Sequence, residues 1–562
     1  MRKTSRVVRA ALASALFVAL SAPAPAAEEP GQLDAVLDEI VARERELTRT
    51  LEQYRPLIET YMQTVEPDVE LGLVPVRDRY FLGRLSLGDA GAVEAEKKKK
   101  KRTRSKLVDL KNDLYSASFK ADGFSQVMVL DRGSFDRETY DFFFVRREFI
   151  GEIRTLVFDV APKHNATGRF TGRIWVEDRD HHIVRYNGLY TSILDTSFRF
   201  DSWRLNMAPG LWLPAYVYTE KAEHASSKKR ARSNDAPSAK HTSQTRIWGY
   251  QVNGRTEQEE FTKVLVDAPL TRDRVDAPGQ VSPVESMRAW EREAEENVVR
   301  RLERAALLAP EGPVDQVLET VVANLEVTNG LAIEPPIRCR VLMTTPLESF
   351  TVGHTIILSR GLIDVLPDEA SLAMVLAHEM GHVLSGHRLD TTYAFSDQML
   401  LGDREAMEEF VFERHPEEER EADARAIALL QNSPYKDKLA NAGLFLKALA
   451  TKSAALPSLI RAHFGNRLAD AQTLVRMNEV MRGAPELDET SLEQIAALPL
   501  GGRVKVDPWS ARIELMTNNG VALVSAREKM PFMVTPLMPY LARYGADGAS
   551  EENQNEMASS AD

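Results

Sequence analysis

The chain has 562 residues, 43% of them hydrophobic, and a formal net charge of −12. That length allows about three domains with proper cores, and the acidic balance, with a pI near 5.6, argues against nucleic acid as a main partner. The single cysteine, Cys339, excludes an internal disulfide and reads as a small buried hydrophobe.

Residues 1–27 begin with Arg2, Lys3, Arg6 and Arg9, continue with an apolar run from Ala10 to Leu20, and end in Ala22-Pro23-Ala24-Pro25-Ala26-Ala27. Basic, apolar and small residues in that order read as a cleavable secretory signal, with an uncleaved anchor as the alternative. The apolar run is too short to span a bilayer, and no later run approaches about 18 residues. The mature chain is therefore expected to be soluble, periplasmic and without a transmembrane segment. No cysteine follows the apolar run to take a lipid.

Residues 28–106 read as an N-terminal helix and a basic loop. Leu33, Val36, Leu37, Ile40, Leu47, Leu51, Tyr54 and Ile58 fall near one stripe, which predicts a long amphipathic helix over Leu33 to Tyr61. Glu94 to Lys106, with five consecutive lysines, reads as a solvated loop, with an anionic membrane surface as the rival reading.

Between 107 and 266 the pattern changes to strands. Phe124–Leu130, Tyr140–Val145, Thr155–Val160, Arg173–Glu177 and Ile183–Tyr186 are rich in β-branched and aromatic residues and are spaced by polar turns, as expected of one antiparallel sheet. His181 and His182 fall in such a turn and are expected to be exposed. The phrase Gly-Arg-Ile-Trp-Val-Glu-Asp at 172–178, followed by Ile183-Val184-Arg185-Tyr186, resembles the periplasmic lipoprotein-carrier fold. That resemblance implies a sheet curved into a half-barrel, with an apolar face for a lipid or an outer-membrane client. Glu223 to Thr245 is expected to be a long loop, and 267–284 a linker.

Helices are predicted from Glu285 to Leu308 and from Val314 to Leu325, then strands at Cys339–Leu342 and Thr355–Leu358. Asp368 to His387 should be the next helix. Pro367 precedes it, Asp368 and Glu369 charge its first turn, and Leu372, Val375, Leu376 and Val383 recur at helical spacing. Inside it lies His-Glu-Met-Gly-His. His378 and His382 are four apart, so one helix face presents both rings to a single metal ion. Glu379 lies about 100° further round the helix, placed to act on water at that metal. Ala373, Ala377 and Gly381 form a row of small residues, which marks a face that something approaches closely.

A catalytic zinc site needs a third protein ligand. Glu419-Arg420-Glu421-Ala422-Asp423 leads into an apolar helical run, and Glu419 and Asp423 are i,i+4 neighbours, so one can reach the metal while the other braces a histidine. The acidic composition alone leaves Glu417, Glu418, Glu419 and Glu421 all open.

Ser359-Arg360-Gly361-Leu362, the acidic pair, the run from Leu376 to His387, and Glu-x-Glu-Ala-Asp together resemble metallopeptidase family forty-eight, over roughly Pro313 to Met477. This is the family of the HtpX-type, outer-membrane quality-control and CAAX prenyl proteases. The resemblance implies a mainly helical zincin domain of the gluzincin type at 285–485. It implies one Zn2+ held by His378, His382 and Glu419, with Glu379 catalytic and Asp423 as the supporting acid. The gap between His382 and Glu419 is shorter than the family's, as if a loop were trimmed. The family's later His-Pro…Arg element has its echo in His463-Phe464-Gly465-Asn466-Arg467, without the proline, which makes His463 and Arg467 candidate transition-state contacts. The strand before the active helix would bind substrate as an added strand, here Phe350, Thr351, Val352, Gly353 and His354 and on to Ile356.

Residues 486–547 form a small C-terminal segment in which Val504–Val506 and Arg512–Leu515 suggest a strand pair. The acidic tail, 548–562, is expected to be disordered. The expected fold class is therefore α+β and multidomain, a sheet domain followed by a peptidase domain. By resemblance the chain is a zinc-dependent endopeptidase acting on protein or peptide substrates of the periplasm or envelope, in protein quality control. The alternative is a lipid- or client-binding envelope protein with a latent zinc domain.

Overall fold

The computed structural model describes residues 30–51, 53–69, 71–85, 93–95, 128–130, 135–150, 153–164, 169–190, 198–221, 240–250, 283–388, 412–460, 462, 464–466, 468–470, 473–474, 476–494, 504–506 and 513–515. Residues 1–29, most of the lysine-rich segment, the 267–282 linker and the acidic tail lie outside this set.

Helix α1, Pro30–Leu51, stops well before Tyr61. Pro56 cannot donate to a helix and biases Arg55 toward extended backbone, which ends the stripe that helical spacing predicts. The chain continues as β1, Leu57–Asp68, and β2, Gly72–Leu85. With β3 (Val93–Ala95), β4 (Tyr140–Ile150), β5 (Ile153–Pro162), β6 (Phe170–Glu177), β7 (Ile183–Tyr190), β8 (Phe198–Ala208), β9 (Leu211–Lys221) and β10 (Lys240–Trp248) they form one antiparallel sheet. Its order is β3-β2-β1-β10-β9-β8-β7-β6-β5-β4. Its two ends, β3 and β4, do not pair, so the sheet is open rather than a closed barrel.

Three details differ from the sequence reading. Met128–Leu130 form a turn instead of ending a strand, Phe124–Val127 lying outside the described residues. Lys240–Thr245 belong to β10, because Thr245 and Ser243 pair in register with Val217 and Thr219. The His181–His182 turn is tucked against α1, where the His181 ring meets Glu39, so it is half-buried.

Helix α1 covers one face of the sheet. Leu37, Ile40 and Val41 pack on Phe158, Ile174, Tyr186 and Phe200, while Leu47 and Leu51 pack on Ile58, Leu213 and Ile247. Under it, Glu44 accepts two 2.7 Å hydrogen bonds from the buried Arg204 guanidinium.

The second half contains α2 (Pro283–Arg304), α3 (Pro313–Thr328), β11 (Arg338–Leu342), β12 (Ser349–Val352), β13 (Thr355–Ser359), α4 (Arg360–Val365), α5 (Glu369–Ser385), α6 (Pro416–Gln431), α7 (Leu439–Lys452), α8 (Pro457–Ile460), the bridge-like β14 and β15 (469–470 and 473–474), and α9 (Asn478–Gly483). β13 is central, parallel to β11 and antiparallel to β12. A last pair, β16 (Val504–Val506) and β17 (Ile513–Leu515), forms as the sequence suggests.

The sheet is keyed into this half by buried polar groups. Glu59 on β1 accepts hydrogen bonds from the Thr345 amide (2.5 Å) and the Tyr80 hydroxyl (2.9 Å) and faces Arg360. Asp78 on β2 accepts from the amides of Ser458 and Leu459 as α8 begins, and from the Tyr61 hydroxyl. Trp248 donates to the Ala306 carbonyl. Carboxylates buried this way are costly unless fully bonded, so the two halves meet in one specific fit.

Candidate active site

Helix α5 is capped at both ends by its own sequence. The Asp368 carboxylate accepts from the Ser371 amide, and Gly386 turns the chain with φ +68. Ala370 to His382 are buried without a break, which puts the two histidines inside the protein. His378, Glu379 and His382 are 2%, 1% and 1% exposed.

Helix α6 crosses α5 at Gly381. A Cβ there would come 2.5 Å from the Ala422 carbonyl oxygen, so only glycine permits this approach. The crossing decides among the four glutamates. Glu417 pairs with Arg420 at the surface, Glu418 accepts from the His415 amide, and Glu421 faces His387 and Arg425. Glu419 alone of the four is buried, 2% exposed, and turned toward the histidines.

His378 Nε2 lies 3.2 Å from His382 Nε2 and 3.2 Å from Glu419 Oε2, and His382 Nε2 lies 3.6 Å from Glu419 Oε1. Ligands about 2.1 Å from a tetrahedral zinc stand about 3.4 Å apart, so the three atoms fit one such ion. Glu419 Oε2 is a buried oxygen whose neighbouring donors are Arg476 Nε at 2.8 Å and His378 Nε2 at 3.2 Å. It offers a lone pair to a cation. Two histidines and one carboxylate are also the donor set of an open zinc site.

The surrounding groups fix orientation. Asp423 Oδ1 is 2.8 Å from His378 Nδ1 and its Oδ2 accepts from the Met477 amide. Burial disfavours a charge on His378, but hydrogen bonds to Asp423 and Glu419 outweigh it and raise its pKa to about 9. Burial is the largest influence on His382 and, against the pull of Glu379, lowers its pKa to about 3. Without metal, these shifts favour the extra, charge-bearing proton of the pair on His378 and leave His382 neutral. Burial opposes the charge of Glu419 too, yet Arg476, His378 and His382 hold its pKa far below the carboxylate range.

Glu379 is not among the three clustered ligands. Its Oε1 accepts from Ser349 Oγ at 2.7 Å and Arg476 Nη1 at 3.0 Å, and its Oε2 accepts from Thr351 Oγ1 at 2.6 Å. Burial would raise its pKa, but Arg476 first, then the two histidines and Thr351, keep it lowered and the side chain ionised.

The expected substrate strand is only partly a strand. Ser349–Val352 form the edge strand β12, but Gly353, with φ +56, and His354 make the hairpin turn into β13, so Phe350 to Ile356 cannot be one extended segment. Phe350 and Val352 are packed with Val298, Leu302 and Phe412, leaving Ser349 and Thr351 facing Glu379. The Thr351 carbonyl accepts from Arg414 Nη2 at 3.1 Å and the Ser349 carbonyl from Arg476 Nη1 at 3.3 Å.

Several neighbours escaped the sequence reading. Arg476, 3% exposed, bridges Glu379 and Glu419. Its only signal was a lone arginine in the apolar Leu-Val-Arg-Met at 474–477, beyond the position where the arginine of the family element was sought. Asn466 donates to Glu419 Oε1 and clamps the Arg414 backbone. His463 and Arg467 lie outside the described residues.

Residues 316–402 match the family model for Peptidase family M48. The match runs through the active helix and agrees with the resemblance carried by its motifs; M48 peptidases are metal-dependent hydrolases, and this segment points to a metallopeptidase. No curated protein matches the chain. Among solved structures, a LolA superfamily protein from Nitrosomonas europaea is 12% identical with a TM-score of 0.21, over 40% of this chain and 96% of its own. A DUF1329 family protein from Desulfovibrio piger is 12% identical with a TM-score of 0.18, over 41% of this chain and 98% of its own. Among the described residues no helix is long and apolar enough to cross a membrane.

Proposed function

We propose that the chain is a zinc-dependent endopeptidase that hydrolyses proteins of the bacterial periplasm or envelope in quality control. The observation that carries this reading is Glu379, an ionised carboxylate 1% exposed beside the His378–His382–Glu419 cluster but outside it. A structural metal site closes its coordination and has no use for such a base. Export rests on the signal-like composition of residues 1–27.

His378, His382 and Glu419 would hold the metal. When bound, zinc supplies a Lewis acid that polarises a carbonyl and lowers the pKa of water toward about 7. Glu379 takes the proton of the attacking water, most readily at Oε2, where among the described residues Thr351 alone donates. It then delivers that proton to the leaving amine. Arg476 holds Glu379 and Glu419 in place and keeps both ionised. Asp423 fixes the His378 ring by accepting its Nδ1 proton. The outward edge of β12 takes the substrate backbone once Arg414 leaves the Thr351 carbonyl.

That last contact favours a second reading, a client-binding protein whose zinc domain is latent. Arg414 and Arg476 occupy the two outward carbonyls of β12, and both oxygens of Glu379 are engaged. Zinc content and casein hydrolysis of the mature chain, with Glu379 intact and as Glu379→Gln, separate the readings. Zinc in both with hydrolysis only in the parent supports the peptidase; zinc in both with hydrolysis in neither supports the latent form.

A further inference from the structure

The two histidines of the cluster are braced by different chemistry. His378 turns its Nδ1 to a carboxylate, Asp423. His382 turns its Nδ1 to another imidazole: His387 Nδ1 lies 2.9 Å away, with the ring centroids 5.1 Å apart and the planes at 61°. Local backbone brings this about. Gly386 adopts the left-handed conformation that ends α5, its amide bonds to the Val383 carbonyl, and the His387 amide bonds back to the His382 carbonyl at 3.0 Å. This is a Gly-type helix stop, and it folds the His387 side chain under the last turn, where that side chain is 9% exposed. On the far side of the ring, His387 Nε2 faces Glu421 Oε2 at 3.5 Å.

His387 cannot be a ligand, because it meets the Nδ1 side of His382, whereas Glu419 and His378 meet the Nε2 side. A histidine that offers Nε2 to a metal carries its proton on Nδ1 and needs an acceptor there. With Glu421 facing its Nε2 to take up that N–H, His387 can present Nδ1 as an acceptor. We propose that His387 is a positioning residue, which accepts the Nδ1 proton of His382 and so holds the His382 ring with Nε2 toward the metal. Glu421, exposed and two residues along α6 from the buried Glu419, meets the other ring nitrogen of His387 and sets its tautomer. The inference rests on reading His378, His382 and Glu419 as zinc ligands.

The test is zinc affinity of the full mature chain by competition with a chromophoric chelator, together with the visible spectrum of the cobalt(II) form. His387→Phe keeps the bulk of the ring but removes the acceptor. His387→Asn restores an acceptor oxygen close to the Nδ1 position. Loss of a partner that orients a ligand weakens metal binding by about 10- to 100-fold, which is the loss expected for His387→Phe, with a shifted cobalt band. His387→Asn should recover most of the affinity and the parent spectrum, and metal-free melting should be similar in both. Parent-like affinity in His387→Phe, or equal weakening in the two variants, overturns the proposal. If His387→Phe fails to fold, His387→Asn decides: parent-like affinity and spectrum support it, and weakened binding overturns it. A parent chain that takes up no zinc overturns the ligand assignment itself, and His387 falls with it.

Discussion

Two buried arginines, one in each half of the molecule, neutralise charge in different ways. Arg204, under α1, gives both Nη atoms to a single carboxylate, Glu44, so the sheet buries a closed one-to-one pair. Arg476 is divided between Glu379 and Glu419, with Asp423 close behind His378, so one guanidinium faces more carboxylate than it can offset. The sheet solves a packing problem. The peptidase half divides one arginine between two carboxylates in a place where an unpaired ion is expensive, and a divalent cation at the cluster would take over the part played without metal by the His378 proton.

Glu379→Gln tests the functional side of that contrast and should have the largest effect. The amide keeps the shape but cannot take a proton, so hydrolysis should fall by at least about 10²- to 10⁴-fold while zinc content stays at the parent level. Peptidase assays and metal analysis on the same preparation check both.

Next come the two arginines themselves. Removing one partner of a buried ion pair costs about 3–5 kcal/mol, so Arg204→Met and Arg476→Met should both lower the stability of the metal-free chain in denaturant melts. Zinc should recover more stability in Arg476→Met than in Arg204→Met, since only at the former does it sit beside the stranded carboxylates. Equal recovery in the two would erase the distinction.

Proton competition is the third effect. With the His378 pKa raised to about 9, the metal-free site holds a proton at neutral pH that zinc must displace. A raised histidine pKa favours the proton-bound site below about pH 9, so zinc affinity should rise about tenfold per pH unit between pH 6 and 8 and level off near pH 9. Calorimetry in buffers of different ionisation enthalpy should count one proton released.

The smallest effect is at the helix crossing. Gly381→Ala forces a methyl group against the Ala422 backbone, and overpacking of this kind costs about 1–3 kcal/mol. By pushing α6 from α5 it should also loosen zinc, which chelator competition would read alongside the melt.

The ease of reading these regions from sequence differed for a physical reason. His378, Glu379 and His382 lie on one helix, where spacing alone fixes which side chains share a face. Glu419 needed more: its three acidic neighbours are equally plausible until the Gly381–Ala422 contact shows which face of α6 turns inward. Arg476, Asn466 and Arg414 come from segments far along the chain, and no local periodicity links them to the histidines. In the sheet, β4 to β7 announced themselves by alternating β-branched and aromatic residues. β1 did not, because Leu57, Ile58 and Tyr61 also continue a helical stripe, and only Pro56 marks the change. Glu59 and Asp78, which tie the sheet to the peptidase half, look like ordinary surface acids until the register places them at the junction.

The most direct test of the three-ligand site is the number of zinc ions retained by the intact chain under native mass spectrometry after stripping and reloading. The parent and Glu379→Gln should each hold one, and Glu419→Gln should hold none at the same free zinc. Equal loss in Glu379→Gln, or full retention in Glu419→Gln, would contradict the division of ligand and base on which the account stands.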